Sequence, residues 1–246
     1  MFAQERHRKI LRLLEKHGRM ELPALLDALK VSTATLRRDL AFLDRTEALI
    51  RVHGGVLHPR ALAEPTIGQK KAHALTAKRA IGAACAKAVP EGATVFIDSG
   101  STCLEAALRL RERADLTLIT NSLPIAAAHE QFRGRILLPG GEIRSVSGAL
   151  VGPGTLWSLG RLRADVAIIG ASGLHADDGP STTETGEAAV KREWIARSQT
   201  RFLLADASKW ARPAAVAFAR WDVFDRLFTD TAPTPNCPPC PVIVCS

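Results

Sequence analysis

The stretch VSTATLRRDLAFL, Val31 to Leu43, sets two arginines and an aspartate inside a run of small and apolar residues. On a helical wheel at about 100° per residue, Leu40 and Leu43 fall within about 40° of Leu36 and make one apolar stripe. Arg38 and Arg45 lie on the opposite side with Ala34 and Ala41 beside them, and Thr35 and Arg37 flank that face. Ser32 is placed to cap the helix, which then runs to about Arg45. A surface of small side chains and arginines near a helix N-terminus suits the DNA major groove. Small residues permit close approach, and arginine either bonds guanine edges bidentately or holds phosphate. The alternative is a solvated helix face with incidental arginines. Asp39 is expected to pair with a neighbouring arginine.

The flanking sequence favours the groove. ERHRKILRLLEKH, residues 5–17, puts Ile10, Leu13, Leu14 and His17 at helical spacing, and Gly18 ends the run. ELPALLDALK then carries Leu22, Leu25, Leu26 and Leu29 at i, i+3, i+4, i+7, with Pro23 tolerated in the first turn. After the third helix, LIRVHGGVLH reads as two short strands around Gly54 and Gly55. Three short helices followed by a hairpin make a winged helix-turn-helix. Arg51 and His53 then meet phosphate or the minor groove as a wing, or His53 is a turn residue with no ligand. Ser32, Thr33, Ala34, Thr35, Arg37, Arg38, Arg51 and His53 are the candidate DNA contacts.

Charge is distributed to match. Residues 1–60 hold 12 Lys/Arg against 7 Asp/Glu, a net +5, whereas residues 61–246 hold 21 against 18, a net +3. A basic N-terminal segment points to a polyanionic partner. No apolar run reaches the roughly 18 residues of a membrane span, and MFAQERHRKI lacks the apolar core of a signal peptide, so a cytoplasmic location is expected. Five cysteines argue against a closed disulfide framework. Cys237 and Cys240 form one CxxC in a Pro-rich stretch, half of a structural zinc site. It is either a redox or metal element or part of an unstructured tail, and the tail is the better reading; no metal or cofactor is expected.

Beyond Ala77, short apolar runs alternate with helical patterns: ATVFID, LTLIT, RILLPGG, ADVAIIGASG, RFLLADASK and RLFTD are strand candidates. Strands that each end in a polar or Gly-containing turn indicate a mostly parallel α/β sheet. The expected division is a winged helix-turn-helix over 1–58, a linker or connecting helix over 59–77, an α/β domain over 78–232 and a Pro/Cys-rich tail over 233–246. In FIDSGSTCLEAALRL the turn offers backbone N–H groups from Gly100 to Thr102 and two hydroxyls ahead of a helix, the parts of a phosphate cradle. Many α/β loops use Gly and Ser merely to turn, so both readings stay open. Polar clusters at further strand ends, including TNS (120–122), PGGEIR (139–144) and ADASKW (205–210), lie where such sheets bind ligands.

VSTATLRRDLAFLDRTEALIRVHGGV resembles the N-terminal signature of the DeoR family of bacterial transcriptional regulators, on Ser32, Thr35, Arg37, Arg38, Asp39, Leu40, His53, Gly54 and Gly55. Many members carry Gly where this chain has Glu47. Residues from about Lys78 to Asp230 are similar to the sensor domain of that family, which resembles ribose-5-phosphate isomerase and binds phosphorylated sugars. The resemblance implies that Ser99, Gly100, Ser101 and Thr102 hold phosphate and that Thr120, Asn121 and Gly141 line the pocket. It further implies that Lys191 and Lys209 supply positive charge and that Asp206 accepts from a sugar hydroxyl. Asp98 is expected to be structural. The expected function is a regulator, a repressor, of carbohydrate genes that binds operator DNA as a homo-oligomer, dimer or tetramer, and responds to a phosphorylated sugar. The rival is an isomerase-like enzyme with an added nucleic-acid module. Isomerisation needs a carboxylate base, but IIGASG carries Ser172 where those isomerases have an aspartate. Asp177 and Asp178 follow in a loop, Glu184 and Glu187 further on, and the domain reads as a binder.

Overall fold

The computed structural model describes residues 2–17, 19–46, 48–52, 55–57, 64–210, 213–232 and 238–246. It divides into two compact units, Met1–Pro65 and Thr66–Ser246.

In the first unit, α1 (Ala3–His17), α2 (Leu22–Leu29) and α3 (Thr33–Arg45) accompany β1 (Arg19–Glu21), β2 (Ile50–Val52) and β3 (Gly55–Leu57). Each helix contributes an i, i+3 or i+4 apolar set. Ile10 and Leu14 of α1, Leu25 and Leu29 of α2, and Leu36, Leu40 and Leu43 of α3 are buried together with Leu49 and Val56. Lys30 stops α2 in the left-handed region at φ 53° and donates its N–H to Leu26 O at 2.8 Å. The strand β1 is not legible in the sequence. It adds to the hairpin in the order β1-β3-β2, all antiparallel. A Cβ on Gly55 would sit 2.5 Å from Met20 O, so the second glycine of HGG is required by the approach of β1.

The second unit is built on a seven-stranded sheet, order β15-β14-β12-β9-β4-β5-β6, with every neighbouring pair parallel. These strands are β4 (Thr94–Ile97), β5 (Thr117–Thr120), β6 (Arg135–Leu137), β9 (Ala164–Gly170), β12 (Ser198–Leu204), β14 (Arg226–Thr229) and β15 (Val242–Val244). Alternate residues serve two cores. Val95, Ile97, Val166, Ile168, Phe202 and Leu204 pack with α5 (Leu75–Lys87), α6 (Ser101–Leu110) and Ile125 of α7 (Leu123–Ala127). Phe96, Ala167, Ile169 and Leu203 pack with α8 (Pro153–Leu159) and α9 (Thr185–Ala196), where Trp194 is fully buried. A two-stranded hairpin, β7 (Glu142–Arg144) with β8 (Ala149–Val151), and a small antiparallel sheet of β10 (Gly173–His175), β11 (Gly179–Thr182) and β13 (Val216–Ala217) complete the strands.

The span 59–77, expected as a linker or connecting helix, carries α4 (Ile67–Ala72) and the start of α5; residues 58–63 lie outside the described residues. A capping box of Thr66 and Gln69 starts α4, which buries none of its residues and so shows no apolar periodicity. The span 233–246, read as an unstructured tail, supplies β15, which extends the sheet beside β14, and Cys240 and Cys245 are buried. Cys237 lies outside the described residues.

Helices α5 and α6 meet at Gly82, where a Cβ would come within 2.7 Å of Ala106 N and Glu105 C. Gly82→Ala is expected to lower unfolding stability by about 1–3 kcal/mol through overpacking, read as a lower denaturation midpoint with an unchanged slope.

Candidate DNA-binding surface and effector site

Ser32 caps α3, its Oγ accepting from Thr35 N at 3.2 Å and pairing with Thr35 Oγ1 at 2.9 Å. Past that cap, Thr33, Ala34, Arg37 and Arg38 are exposed, as is Ser32 itself, and Thr35 is half-buried. Arg37 and Arg38 have no hydrogen-bond or ion-pair partner among the described residues. Arg51 is exposed on β2, its backbone N–H donating to Asp44 Oδ1 at 3.4 Å. His53 and Gly54 lie outside the described residues.

Asp39 does not pair with either neighbouring arginine. It is buried, and its carboxylate accepts from Arg6 of α1 through Nε at 2.7 Å and Nη2 at 3.1 Å, with His7 Nε2 at 3.0 Å. The His7 ring stacks on Phe42 at 5.0 Å between centroids. The wheel explains the choice: Asp39 sits about 60° from Leu36, on the side facing α1, whereas Arg37 and Arg38 turn away. Burial pushes the Asp39 carboxyl up, but the hydrogen bonds from Arg6 and His7 outweigh it and hold the pKa below its ordinary value.

In the second unit, β12, β9, β4 and β5 are adjacent and parallel, so their C-terminal ends deliver Asp206, Ala171, Asp98 and Asn121 to one edge. Gly100, at φ 128°, opens α6, and Leu104 N–H is bonded to Gly100 O at 2.9 Å. The preceding N–H groups of the helix therefore point out of its first turn. Ser99, Ser101 and Thr102 are buried, and their hydroxyls make no hydrogen bond among the described residues.

Around this turn the other expected ligand residues act as braces. Asn121 accepts from Ser99 N at 3.1 Å through Oδ1 and donates to Leu150 O at 3.1 Å through Nδ2. Thr120 Oγ1 donates to Ile97 O at 2.7 Å and accepts from Ser122 N at 3.1 Å. Gly141, at φ 148°, lies so close to α8 that a Cβ would sit 1.9 Å from Thr155 Oγ1. Lys191, expected to present its charge to a ligand, is buried and ion-paired with Asp98, and it donates to Gly170 O at 3.0 Å. Gly170 N completes the triangle by donating to Asp98 Oδ2 at 3.0 Å. Burial pushes Lys191 down, but the carboxylates of Asp98 and Glu187 outweigh it and raise its pKa, so the ammonium keeps its proton.

Asp206 is buried. Its Oδ1 accepts from Ser208 N at 3.1 Å and from the Ser208 hydroxyl, while Oδ2 has no partner. Lys209 is half-buried, and its ammonium has no hydrogen-bond or ion-pair partner among the described residues. The sequence reading missed Lys78, which is 1% exposed on α5 and donates to His73 O at 2.6 Å and to Lys70 O. Burial lowers its pKa, and the Asp206 carboxylate opposes the shift. Nothing in TAKRA distinguishes it from a solvated helix lysine.

Of the acids that isomerisation would require, Glu184 caps α9, accepting from Gly186 N at 2.8 Å and Glu187 N at 2.9 Å. Glu187 accepts from Arg144 at 3.1 Å and from Thr182 Oγ1 at 2.8 Å. Asp177 and Asp178 are exposed on a turn.

The family model described as the DeoR-like helix-turn-helix domain matches residues 6–60, and that of the DeoR C terminal sensor domain matches residues 73–231. The chain belongs to the DeoR family. It is a transcriptional regulator of that family, with a helix-turn-helix unit and a sensor domain. The glycerol-3-phosphate regulon repressor of Escherichia coli (strain K12) is 33% identical to it over 236 residues, 95% of this chain and 93% of that protein. The HTH-type transcriptional regulator GlpR of Haloferax volcanii is 32% identical, covering 94% of this chain and 91% of that one. Among solved structures, ribose 5 phosphate isomerase A from Neisseria gonorrhoeae is 16% identical and overlaps 55% of this chain and 52% of that one at a TM-score of 0.41. No helix among the described residues is long and apolar enough to cross a membrane, and the described residues hold no cluster of three or more metal-ligating side chains.

In this DeoR-family chain the RRD run divides its labour, with the arginines outward and the aspartate clamping α3 to α1. Asp39→Asn is expected to destabilise the helix-turn-helix unit by about 1–3 kcal/mol, since one hydrogen bond to a charged partner is lost. Asp39 has a folded pKa below its unfolded value. Its contribution is therefore complete above the ordinary carboxylate pKa near 4 and disappears as pH falls through the lowered folded value. Thermal melts of the wild type and Asp39→Asn should differ at neutral pH and converge on acidification below about pH 4.

Proposed function

We propose that this regulator represses genes of carbohydrate metabolism by binding operator DNA through the outer face of α3, and that a phosphorylated sugar or polyol held at the α6 turn releases it. The observation that carries the DNA half is the partnerless pair Arg37 and Arg38 behind the exposed cap Ser32-Thr33-Ala34, with Arg51 on the strand that follows. Small residues admit the helix to the groove and the arginines read base edges or hold phosphate. His53 belongs to the same proposed contact set.

The sensing half draws support from the α6 turn, where outward N–H groups and the unbonded hydroxyls of Ser99, Ser101 and Thr102 surround Gly100. Lys209 supplies a cation and Asp206 Oδ2 an acceptor for a ligand hydroxyl. Thr120, Asn121, Gly141 and Lys191 serve this site by holding its loops. The relative named as a glycerol-3-phosphate regulon repressor makes sn-glycerol 3-phosphate the first probe to test. A role without catalysis is favoured because Glu184 and Glu187 are committed to a helix cap and an ion pair. The protein acts in the cytoplasm as a homo-oligomer, whose paired recognition helices meet half-sites about 34–36 Å apart or a multiple of that.

Fluorescence anisotropy on DNA from upstream of the protein's own gene tests both halves. Arg38→Ala is expected to weaken specific binding by about 1–3 kcal/mol and leave random DNA less affected; equal loss on both reduces Arg38 to a phosphate contact. Addition of sn-glycerol 3-phosphate and other phosphosugars to the wild-type complex is expected to lower operator affinity. No response to any of them removes the sensing half.

A further inference from the structure

Helix α4 is the first element of the second unit and follows directly on the segment that leaves the helix-turn-helix. None of its six residues is fully buried, and Ile67 is half-buried. Its two ends are nevertheless held by polar contacts. At the N-terminal end, Ile67 N–H donates to Val146 O, at the tip of the β7–β8 hairpin, at 2.9 Å. At the C-terminal end, the Lys78 ammonium takes Lys70 O and His73 O.

Both holds lead back to the effector site. The hairpin is tied to the cradle through Asn121, which accepts from Leu150 N at 2.7 Å with its backbone carbonyl and donates to Leu150 O with its side chain. The same side chain accepts from Ser99 N in the α6 turn. Arg144, on the other strand of the hairpin, is bonded to Glu187 of α9 at 3.1 Å. On the second route, Lys78 lies in the field of Asp206 and Lys209, the acceptor and the cation of the proposed site. A ligand that engages Ser99 and Asp206 therefore acts on the partners of both holds at once.

We propose that α4 is a docked strap whose two holds, Val146 on Ile67 and Lys78 on the helix C-terminus, transmit occupancy of the α6 cradle to the chain entering from the DNA-binding unit. The inference rests on the sensing function proposed above. Lys78 and the hairpin are positioning elements in it, and effector contact stays with the cradle. Coupling of this kind is a difference in the stability of the docked strap between the empty and occupied site.

The N-terminal hold can be cut without disturbing the helix. Ile67 is the first helical residue after the cap Thr66, which has φ −60° and ψ 159°, so proline is acceptable at position 67. Ile67→Pro removes the N–H that reaches Val146, and Ile67→Ala removes the side chain but keeps the N–H. In the full-length protein, Ile67→Pro is expected to bind sn-glycerol 3-phosphate within about twofold of Ile67→Ala. The ratio of operator affinities without and with that probe is expected to fall about tenfold below the Ile67→Ala ratio, within the usual range of allosteric coupling. Equal ratios in the two variants overturn the proposal. Hydrogen exchange gives a second reading that needs no ligand. Residues 66–73 should exchange faster in Ile67→Pro than in Ile67→Ala, while β4 and β9 stay unchanged; equal exchange overturns it also. A wild-type protein whose operator binding ignores the probe counts against the proposed function, and the exchange comparison still decides whether the hold exists.

Discussion

The buried ion pair of Asp98 and Lys191 is the constraint on which the second unit turns. It joins the end of β4 to α9, and through Gly170 it takes in the end of β9. Removing two charges from water is expensive, and the pair holds only because each member is also hydrogen-bonded to the Gly170 backbone. Taking away one partner of such a pair leaves an uncompensated buried charge, which ordinarily costs about 3–5 kcal/mol. The pair therefore fixes where Ser99 and Gly100 leave the sheet, and the first turn of α6 is preorganised before any ligand arrives.

Polar residues of the domain fall into two kinds on this basis. Asp98, Lys191, Asn121, Thr120, Glu184 and Glu187 are satisfied within the protein and define its loops. The Ser99, Ser101 and Thr102 hydroxyls make no hydrogen bond among the described residues, and the buried Asp206 Oδ2 has no partner. A buried polar atom without a partner is costly, and these groups lie at the C-terminal edge of the sheet, where a polar ligand would satisfy them.

The helical wheel of residues 31–43 gave the burial of α3 correctly because a 3.6-residue period translates directly into a buried stripe. Six of the seven parallel strands were equally legible as short, mostly apolar runs, β15 being the exception, and the family signature added the architecture. What stayed hidden depends on pairing between distant segments. β1 is three residues long and is defined by its register with β3. α4 rests on a capping box and backbone contacts, which leave no hydrophobic trace. The Arg6–Asp39 clamp joins residues 33 apart in the chain, and the partners of Lys78 are carbonyls that no side-chain pattern announces. Lys191 shows the converse: its residue type suggested a ligand contact, and only the fold reveals the carboxylate that neutralises it.

Gly55 gives the signature a second meaning. A motif that recurs as one block mixes letters that face the nucleic acid with letters that shape the scaffold, and Gly55 belongs to the latter because the Met20 carbonyl occupies the space of its missing side chain. Asp39 and Leu40 stand with it, turned inward. The vocabulary of the outer face is thus physically separable from the grammar that holds it, so such a domain is open to retargeting by exchange of outward residues while its inward ones stay as they are.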